Sequence, residues 1–305
     1  MEITLRDAFF NKLYDIAKQD RDVILVSADM GAPSLDKFRS DLSSQYLNVG
    51  VAEENMMAVG VGLALSGKKV FVYAIGPFAT SRCYEFIKLD VSLMNTPITI
   101  ISVGAGYSYD DSGPTHHLTE DISIMRIFPN MEILNPSDNI MATSFAEMAY
   151  KSNHPVYIRL DRKILPINCD VSESFEEGFK ELKSGKDVCI VSTGNMVHNA
   201  LKIHQNCLEK GKEIGVIDLY RLKPINVKKF INCLVKYEYI ISCEEHLLAG
   251  GLGSILSEII MDNKLPLKLK RIGVDDQYCY LYGRRNIQKR TGIDINDVMN
   301  EIDFE

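Results

Sequence analysis

Two apolar runs and the residues between them decide the fold class. The first run is Val70-Phe71-Val72-Tyr73 and the second is Ile98-Thr99-Ile100-Ile101-Ser102-Val103. Both are short and rich in β-branched or aromatic residues, which predicts strands buried on both faces. Residues 81–93 between them predict a helix, and a strand–helix–strand order favours parallel pairing in one sheet. The sequence therefore predicts an α/β fold.

The same alternation continues in both directions along the chain. Before the first run, helices are predicted at 5–18 and 54–65 and a strand at 23–26. After the second run, strands are predicted at 132–134, 156–160, 188–191, 214–217, 239–243 and 269–274, and helices at 141–150, 198–210, 227–235 and 255–261. The rhythm is lost only where prolines, serines and charged residues crowd together. We therefore predict two consecutive parallel-sheet α/β domains, residues 1–165 and 187–305, with a linker at 166–186.

Composition narrows the classes of function. The 305 residues carry a net charge of -7, and such a surface repels phosphate backbones, so we expect no nucleic-acid binding. No window reaches ~18 consecutive apolar residues, so we expect no membrane span. There is no signal-peptide pattern after Met1, and the cysteines are odd in number with no CxxC pair. This predicts a reduced, cytoplasmic protein. The seven cysteines are Cys83, Cys169, Cys189, Cys207, Cys233, Cys243 and Cys279.

Three loops follow predicted strands of the first domain, at the edge where open parallel sheets bind ligands. They are residues 48–55, 76–84 and 104–117. In the first loop a carboxylate stands between an apolar strand and a helix of small residues. Burial disfavours the charged form of a carboxyl group, which would keep Glu53 or Glu54 protonated and able to donate a hydrogen bond. The alternative, a structural acid at the positive end of a helix, stays open.

The third loop is long and polar, and it ends in His116 and His117. Such a loop favours a functional role, with a histidine facing a substrate. The alternative is a surface histidine that caps a turn. Because adjacent residues at a helix start do not share a face, at most one of the two histidines is expected to face the cleft. The nearby carboxylates have no recognised metal-ligand spacing, so no metal site is predicted.

Taken together, these segments resemble the transketolase family, specifically its pyrimidine-binding and C-terminal domains. The matching motifs run in the family's order over nearly the whole chain. They are Ser27-Ala28-Asp29, Gly50-Val51-Ala52-Glu53, Gly113-Pro114-Thr115-His116, residues 125–131, residues 155–162, Glu244-Glu245-His246 and Gly250-Gly251-Leu252-Gly253.

The resemblance implies thiamine diphosphate as the cofactor, which carries out the carbanion chemistry itself. Glu53 matches the glutamate that hydrogen-bonds N1′ of the aminopyrimidine and activates the thiamine, and Glu54 is the weaker candidate. Phe78 resembles the aromatic residue that packs on the pyrimidine, although a core phenylalanine is the alternative. Arg82 and Tyr84, on the following helix, are expected to complete this wall.

The resemblance also implies substrate contacts. His116 matches a histidine that binds substrate oxygens. Arg162 matches an arginine that binds the acceptor's phosphate, where a planar guanidinium is suited to an anion. A surface arginine is the alternative, and Arg159 is a rival if the strand register differs. Ser34 lies near the family's phosphate-binding serine, with a spacing from Met30 that differs by one residue.

Two departures from the family concern the donor. Ser112 stands where transketolases usually carry aspartate, and Gly104 stands where they carry a donor-binding histidine. Both family residues handle donor hydroxyls. The resemblance therefore implies activation of thiamine together with an unusual donor.

The family binds the diphosphate and a divalent metal through a Gly-Asp-Gly motif, which this chain does not contain. The resemblance thus implies a separate N-terminal subunit that supplies the Mg²⁺ ligands, and a heterotetramer as the working form. The implied reaction is transfer of a two-carbon ketol unit to an aldehyde sugar, with a sugar phosphate or another anionic substrate.

Three alternatives stay open. The first is a synthase that decarboxylates a 2-oxo acid, resembling 1-deoxyxylulose-5-phosphate synthase. The second is a 2-oxo-acid dehydrogenase β subunit, against which the Gly-Pro-Thr-His motif argues. The third is a non-catalytic assembly subunit, against which Glu53 argues.

Overall fold

The computed structural model describes residues 3–303, and its strands form two sheets. The strands are β1 (Val23–Ser27), β2 (Tyr46–Asn48), β3 (Lys69–Ile75), β4 (Ile98–Val103), β5 (Glu132–Leu134), β6 (Val156–Leu160), β7 (Lys180–Lys183), β8 (Val188–Ser192), β9 (Gly215–Asp218), β10 (Arg221–Lys223), β11 (Tyr239–Leu247) and β12 (Lys268–Val274).

Helices cover both sheets. They are α1 (Leu5–Ala17), α2 (Pro33–Asp41), α3 (Glu53–Leu65), α4 (Gly76–Ala79), α5 (Tyr84–Phe86), α6 (Asp121–Arg126), α7 (Asn139–Lys151), α8 (Met196–Glu209), α9 (Val227–Leu234), α10 (Leu252–Asp262), α11 (Arg284–Arg290) and α12 (Ile295–Asp303). Side-chain caps fix three of the described starts. Thr4 Oγ1 accepts from Asp7 N at 3.1 Å, Asp138 Oδ1 from Met141 N at 2.8 Å, and Asn226 Oδ1 from Lys229 N at 3.4 Å.

The predicted α/β fold with two mostly parallel sheets is confirmed. The first sheet has the order β10-β5-β6-β4-β3-β1-β2, and the second has the order β12-β11-β8-β9-β7. Among the described strands, only the pairs β10–β5 and β7–β9 are antiparallel. All six residues of β4 are buried, as expected for a central strand covered by helices on both faces.

Strand β10 crosses between the two halves of the chain. It follows β9 of the second sheet, yet Arg221 pairs with Leu134 and Lys223 with Ile133 at the edge of the first sheet. The Lys223 ammonium donates to the carbonyl oxygens of Arg126 and Phe128, at 2.7 and 2.5 Å. The first sheet is thus completed by residues from the second half. Strand β7 lies inside the stretch predicted as a linker, and the domain boundaries stay a prediction.

The helix predicted at residues 81–93 is confirmed over 84–93, where it begins three residues later and its second part is π-helical. The chain forms α4, a turn at 80–83, α5 and a π-helical segment over Ile87–Leu93 that continues α5. The Thr80 hydroxyl donates to the Gly76 carbonyl at 2.8 Å as α4 ends. Helix α2 and strand β2 were missed, because they are short and only weakly periodic.

Candidate active site

The buried carboxylate Glu53 begins helix α3 at the carboxyl edge of the first sheet. Its residue is 3% exposed, whereas Glu54 beside it is half-buried. The Arg82 Nη1 atom lies 2.6 Å from Glu53 Oε2, and the Arg82 side chain is 40% exposed. The carboxylate therefore has a fixed cationic partner as well as the positive end of its own helix.

An aromatic wall stands next to this ion pair. The Arg82 guanidinium carbon lies 4.5 Å from the centre of the Phe78 ring. Phe78 in turn meets the His116 ring edge-on, with centroids 5.3 Å apart. Phe78 is half-buried and lies outside the hydrophobic core clusters. Three separate loops thus bring Glu53, Phe78 with Arg82, and His116 into one continuous group.

Tyr84 does not join this wall. Its ring packs on Phe128, with centroids 4.9 Å apart, and it lines a cavity of about 400 Å³ together with Leu93 and Ile127. The break after α4 sends Tyr84 to a different part of the surface. Among the described residues no ring contact joins it to Phe78, and a cofactor-binding role for Tyr84 stays a prediction without support from this geometry.

The two adjacent histidines have different surroundings. His116 is half-buried, and its Nδ1 lies 2.9 Å from Thr115 Oγ1, which leaves Nε2 as the nitrogen available to a ligand. His117 is buried against the Tyr107 ring at 4.9 Å, and this burial lowers its pKa. His116 is therefore the histidine that faces the group formed by Glu53 and Phe78.

Arg162 lies on the other side of His116. Its guanidinium carbon stands 4.6 Å from the Tyr109 ring centre, and its Nη1 and Nη2 atoms donate to Asp111 at 3.2 and 3.1 Å. This pair lowers the pKa of Asp111. The Ser112 hydroxyl donates to Asp111 at 3.0 Å. The rival Arg159 is 2% exposed and binds Asp121 at 2.8 Å inside the protein, so Arg162 is the accessible arginine.

Ser34 is buried and donates to Asp7 Oδ1 at 2.8 Å. Asp7 also holds Arg6, whose Nη2 lies 3.2 Å from Asp7 Oδ2. Burial raises the pKa of Tyr109, and the charges of Arg162 and Arg6 oppose that rise. Ser34 is thus connected to Arg6 through Asp7.

The Tyr109 ring fills the space beside Gly104. The φ angle of Gly104 is +109°, and a Cβ atom there would lie 2.4 Å from Tyr109 Cδ2. Any L-residue at this position would adopt a disfavoured backbone conformation and collide with the ring.

Residues of the second domain fix the position of the loop at 104–117. Arg284 Nη2 lies 2.6 Å from Glu245 Oε2 and 2.7 Å from Asp161 Oδ2. The backbone N–H of Tyr107 donates to Glu245 Oε2 at 2.9 Å, and that of Arg284 donates to Asp110 at 2.9 Å. Burial disfavours the charged guanidinium, but the two carboxylates raise the pKa of Arg284 overall.

The other acid of the Glu244-Glu245-His246 motif has a structural contact. Glu244 accepts from the backbone N–H groups of Leu252 and Gly253 at 2.6 and 2.7 Å, in the first turn of α10. Burial raises its pKa to about 7. The backbone N–H groups at the start of α10, directly after the glycine turn, are therefore bound by the Glu244 carboxylate.

Comparison with known proteins decides the family. The family described as "Transketolase, pyrimidine binding domain" matches residues 1–168, and "Transketolase, C-terminal domain" matches residues 178–298. The chain belongs to the transketolase family. This confirms the resemblance found in the sequence.

Relatives of this transketolase chain include subunits of similar length. A subunit of apulose-4-phosphate transketolase from Phocaeicola vulgatus is 32% identical over 90% of this chain and 88% of its own. A putative transketolase C-terminal section from Methanocaldococcus jannaschii is 30% identical over 98% of this chain and 95% of its own. Among solved structures, "Split gene transketolase, inactive beta4 tetramer" has a TM-score of 0.88 and 28% identity, covering 99% of this chain and 98% of that one.

Transketolases use thiamine diphosphate, and the first-domain site of this transketolase fits its aminopyrimidine. A buried carboxyl group suits a ring nitrogen, and the half-buried Phe78 offers a face for an aromatic ring. Between residues 3 and 303, no group of three His, Cys, Asp or Glu residues is placed to hold a metal ion. No helix in that range is long and apolar enough to cross a membrane.

Sequence reasoning about this transketolase missed Arg6 and Tyr109. Arg6 gave no signal because α1 meets the loop at 104–117 only through tertiary folding. Tyr109 lies in the loop at 104–117, but the sequence does not distinguish it from Tyr107, which is buried against His117. A positive φ at Gly104 would have pointed to the contact, and φ is not visible in a sequence.

Proposed function

We propose that this chain is the pyrimidine-binding subunit of a two-chain transketolase that moves a ketol or related two-carbon unit from a donor to an aldehyde sugar. The observation that carries the proposal is the buried Glu53, paired to Arg82 beside Phe78 and His116. This is a buried acid whose cationic partner stacks on an aromatic ring, with a histidine in contact with the same ring. A chain without catalysis has no need for that arrangement.

Thiamine diphosphate, when bound, supplies the carbanion chemistry. Glu53 would hold the aminopyrimidine and pass a proton at its carboxyl oxygen, while Arg82 keeps that carboxyl group in place. Phe78 would pack on the pyrimidine ring. His116 would bind substrate oxygens through Nε2, and Arg162 would bind the anionic end of the substrate. Ser34 and Ser112 would complete the substrate contacts.

A separate subunit would supply the diphosphate site and the Mg²⁺ ligands. One observation supports this: relatives of similar length are named as subunits of a transketolase. We propose a heterotetramer in the cytoplasm, acting on a sugar phosphate or another anionic small molecule.

The test is reconstitution. The chain is purified alone and together with a candidate partner that contains Gly-Asp-Gly, and donor cleavage is measured with thiamine diphosphate and Mg²⁺. We expect activity only in the complex. Activity of the chain alone would show that no partner is needed. A complex that cleaves no ketose and no 2-oxo acid would refute the proposed function.

One observation favours a second candidate, the 2-oxo-acid-decarboxylating synthase. Gly104 has no side chain, and the Ser112 hydroxyl donates to Asp111. Neither position therefore carries the residue with which transketolases bind the hydroxyl groups of the donor. Single-turnover cleavage of xylulose 5-phosphate, altered ketoses and pyruvate separates the two. Pyruvate as the best donor would favour the synthase.

A further inference from the structure

The Tyr109 ring lies between His116 and Arg162, the two residues to which the proposed function assigns substrate binding. Its ring lies 5.8 Å from the His116 ring and 4.6 Å from the Arg162 guanidinium carbon. A substrate with its reacting end near His116 and its anionic end at Arg162 must pass over this ring. Tyr109 itself is half-buried, so part of its surface is open to such a ligand.

The position of the ring is fixed. On one side the ring packs against Gly104, where an added Cβ atom would lie only 2.4 Å from the ring. On the chain itself, the next residue is held by the second domain: Gly283 N donates to Asp110 O and Arg284 N to Asp110 Oδ2, both at 2.9 Å. The ring therefore cannot move far when a ligand binds.

The carbon atoms of the Tyr109 ring are apolar, and only its phenolic oxygen can form a hydrogen bond. The ring carbons offer no acceptor and no donor to a substrate hydroxyl, and the Arg162 guanidinium over the ring already donates to Asp111 through Nη1 and Nη2. A hydroxyl that loses water against such a surface without gaining a partner is unfavourable. A carbon that carries only hydrogen fits the same surface without this loss.

Resting on the proposed function, we propose that Tyr109 determines substrate specificity and selects donors that lack a hydroxyl between the reacting carbons and the anionic end. In a ketose 5-phosphate this position is C4, because the bond broken in donor cleavage joins C2 and C3 and the phosphate is on C5. The preferred substrate class is a ketose phosphate, or a similar anion, that is deoxygenated at this position.

The experiment measures donor cleavage in single turnover by this chain assembled with its diphosphate-binding partner. The probes are xylulose 5-phosphate and 4-deoxyxylulose 5-phosphate, which differ by one hydroxyl. We expect the native complex to prefer the deoxy donor by about ten-fold or more in kcat/KM, the effect of one unpaired polar group. Tyr109→Ser, which opens the space to water, should bring the ratio close to one. Tyr109→Phe is the matched control, and it should keep the preference because the ring remains.

Should Tyr109→Ser fail to assemble, Tyr109→His takes its place, since it retains a ring but adds nitrogens that can pair with a hydroxyl, and it too should lower the ratio. A native complex that prefers xylulose 5-phosphate, or a ratio unchanged in the Ser and His variants, would overturn this inference while leaving the proposed function standing. If the native complex cleaves neither of these two ketoses but does cleave another donor, this inference falls and the proposed function stands. A complex that cleaves no ketose and no 2-oxo acid refutes both.

Discussion

The Arg82 guanidinium lies 2.6 Å from the Glu53 carboxylate, although 29 positions separate the two residues in the chain. The buried carboxyl group expected from the sequence therefore has a counter-charge. Because Arg82 also stands over Phe78, one side chain holds both the acid and the aromatic wall.

We predict that Arg82→Met disturbs the site more than the fold. Methionine retains a packing stem over Phe78 but removes the charge and the hydrogen bond to Glu53. Because Arg82 is partly exposed, the loss in free energy of unfolding should be only about 1 kcal/mol, measured by urea titration. Donor cleavage by the assembled enzyme should fall at least ~10-fold. Lys186→Met, which breaks the exposed pair with Glu213, is the control and should change neither quantity appreciably. Equal activity in both variants would show that the Glu53–Arg82 pair is only structural.

A second prediction separates the two adjacent glutamates. Glu53→Gln retains shape and hydrogen-bonding capacity but cannot pass a proton, so kcat should fall by at least ~10²-fold, with a much smaller change in cofactor affinity. Glu54→Gln should be mild, because that side chain is half-buried and outside the ion pair. Steady-state kinetics and cofactor titration of both variants decide the matter. The reverse order of effects would mean that the motif is aligned one residue off.

A third prediction concerns the anionic end of the substrate. Arg162→Ala should raise KM for a phosphorylated aldose acceptor, with a loss in binding of about 2 kcal/mol, at the low end for a charged partner because Arg162 is partly exposed. The KM for the same aldose without phosphate should hardly change. Comparing the two acceptors in one variant controls for misfolding. A similar rise for both acceptors would argue against an anion site at Arg162.

The fourth prediction is a pH dependence of stability. Asp218 is fully buried, its Oδ2 accepts from the Ser137 hydroxyl at 2.6 Å, and burial raises its pKa to about 8. Between pH 4 and 8 the unfolded chain releases this proton while the folded chain retains it, so the folded state loses relative stability as pH rises through that window. Asp218→Asn removes the effect. The free energy of unfolding of the Asp218→Asn variant, relative to that of the native protein, should rise by roughly 1 to 3 kcal/mol between pH 5 and 7. A difference that stays constant with pH, in urea titrations of both proteins, would contradict this.

The sequence predicted the strands at 98–103, 132–134 and 156–160 to the residue, because each is short, rich in apolar residues and followed by a turn-forming residue, Gly104, Asn135 or Asp161. At residues 81–93 it predicted a helix that begins only at Tyr84, and it could not show that the second part of this helix is π-helical. It could not show β10, since Arg221-Leu222-Lys223 has no strand pattern and its partner β5 lies far away in the chain. In the site, the sequence pointed to the correct sheet edge, whereas the contacts of Arg6 and Tyr109 arise from tertiary packing alone.

Strand β10 has a consequence for how this polypeptide can be divided. A fragment that ends near residue 168 would contain every other strand of the first sheet but not the three residues that cover β5. The backbone N–H and C=O groups along Ile133 and Leu134 would then face solvent, and an open strand edge of this kind recruits other chains. Truncation at that point should therefore yield a self-associating fragment, and studies of the pyrimidine-binding half need residues 221–223 to be supplied with it.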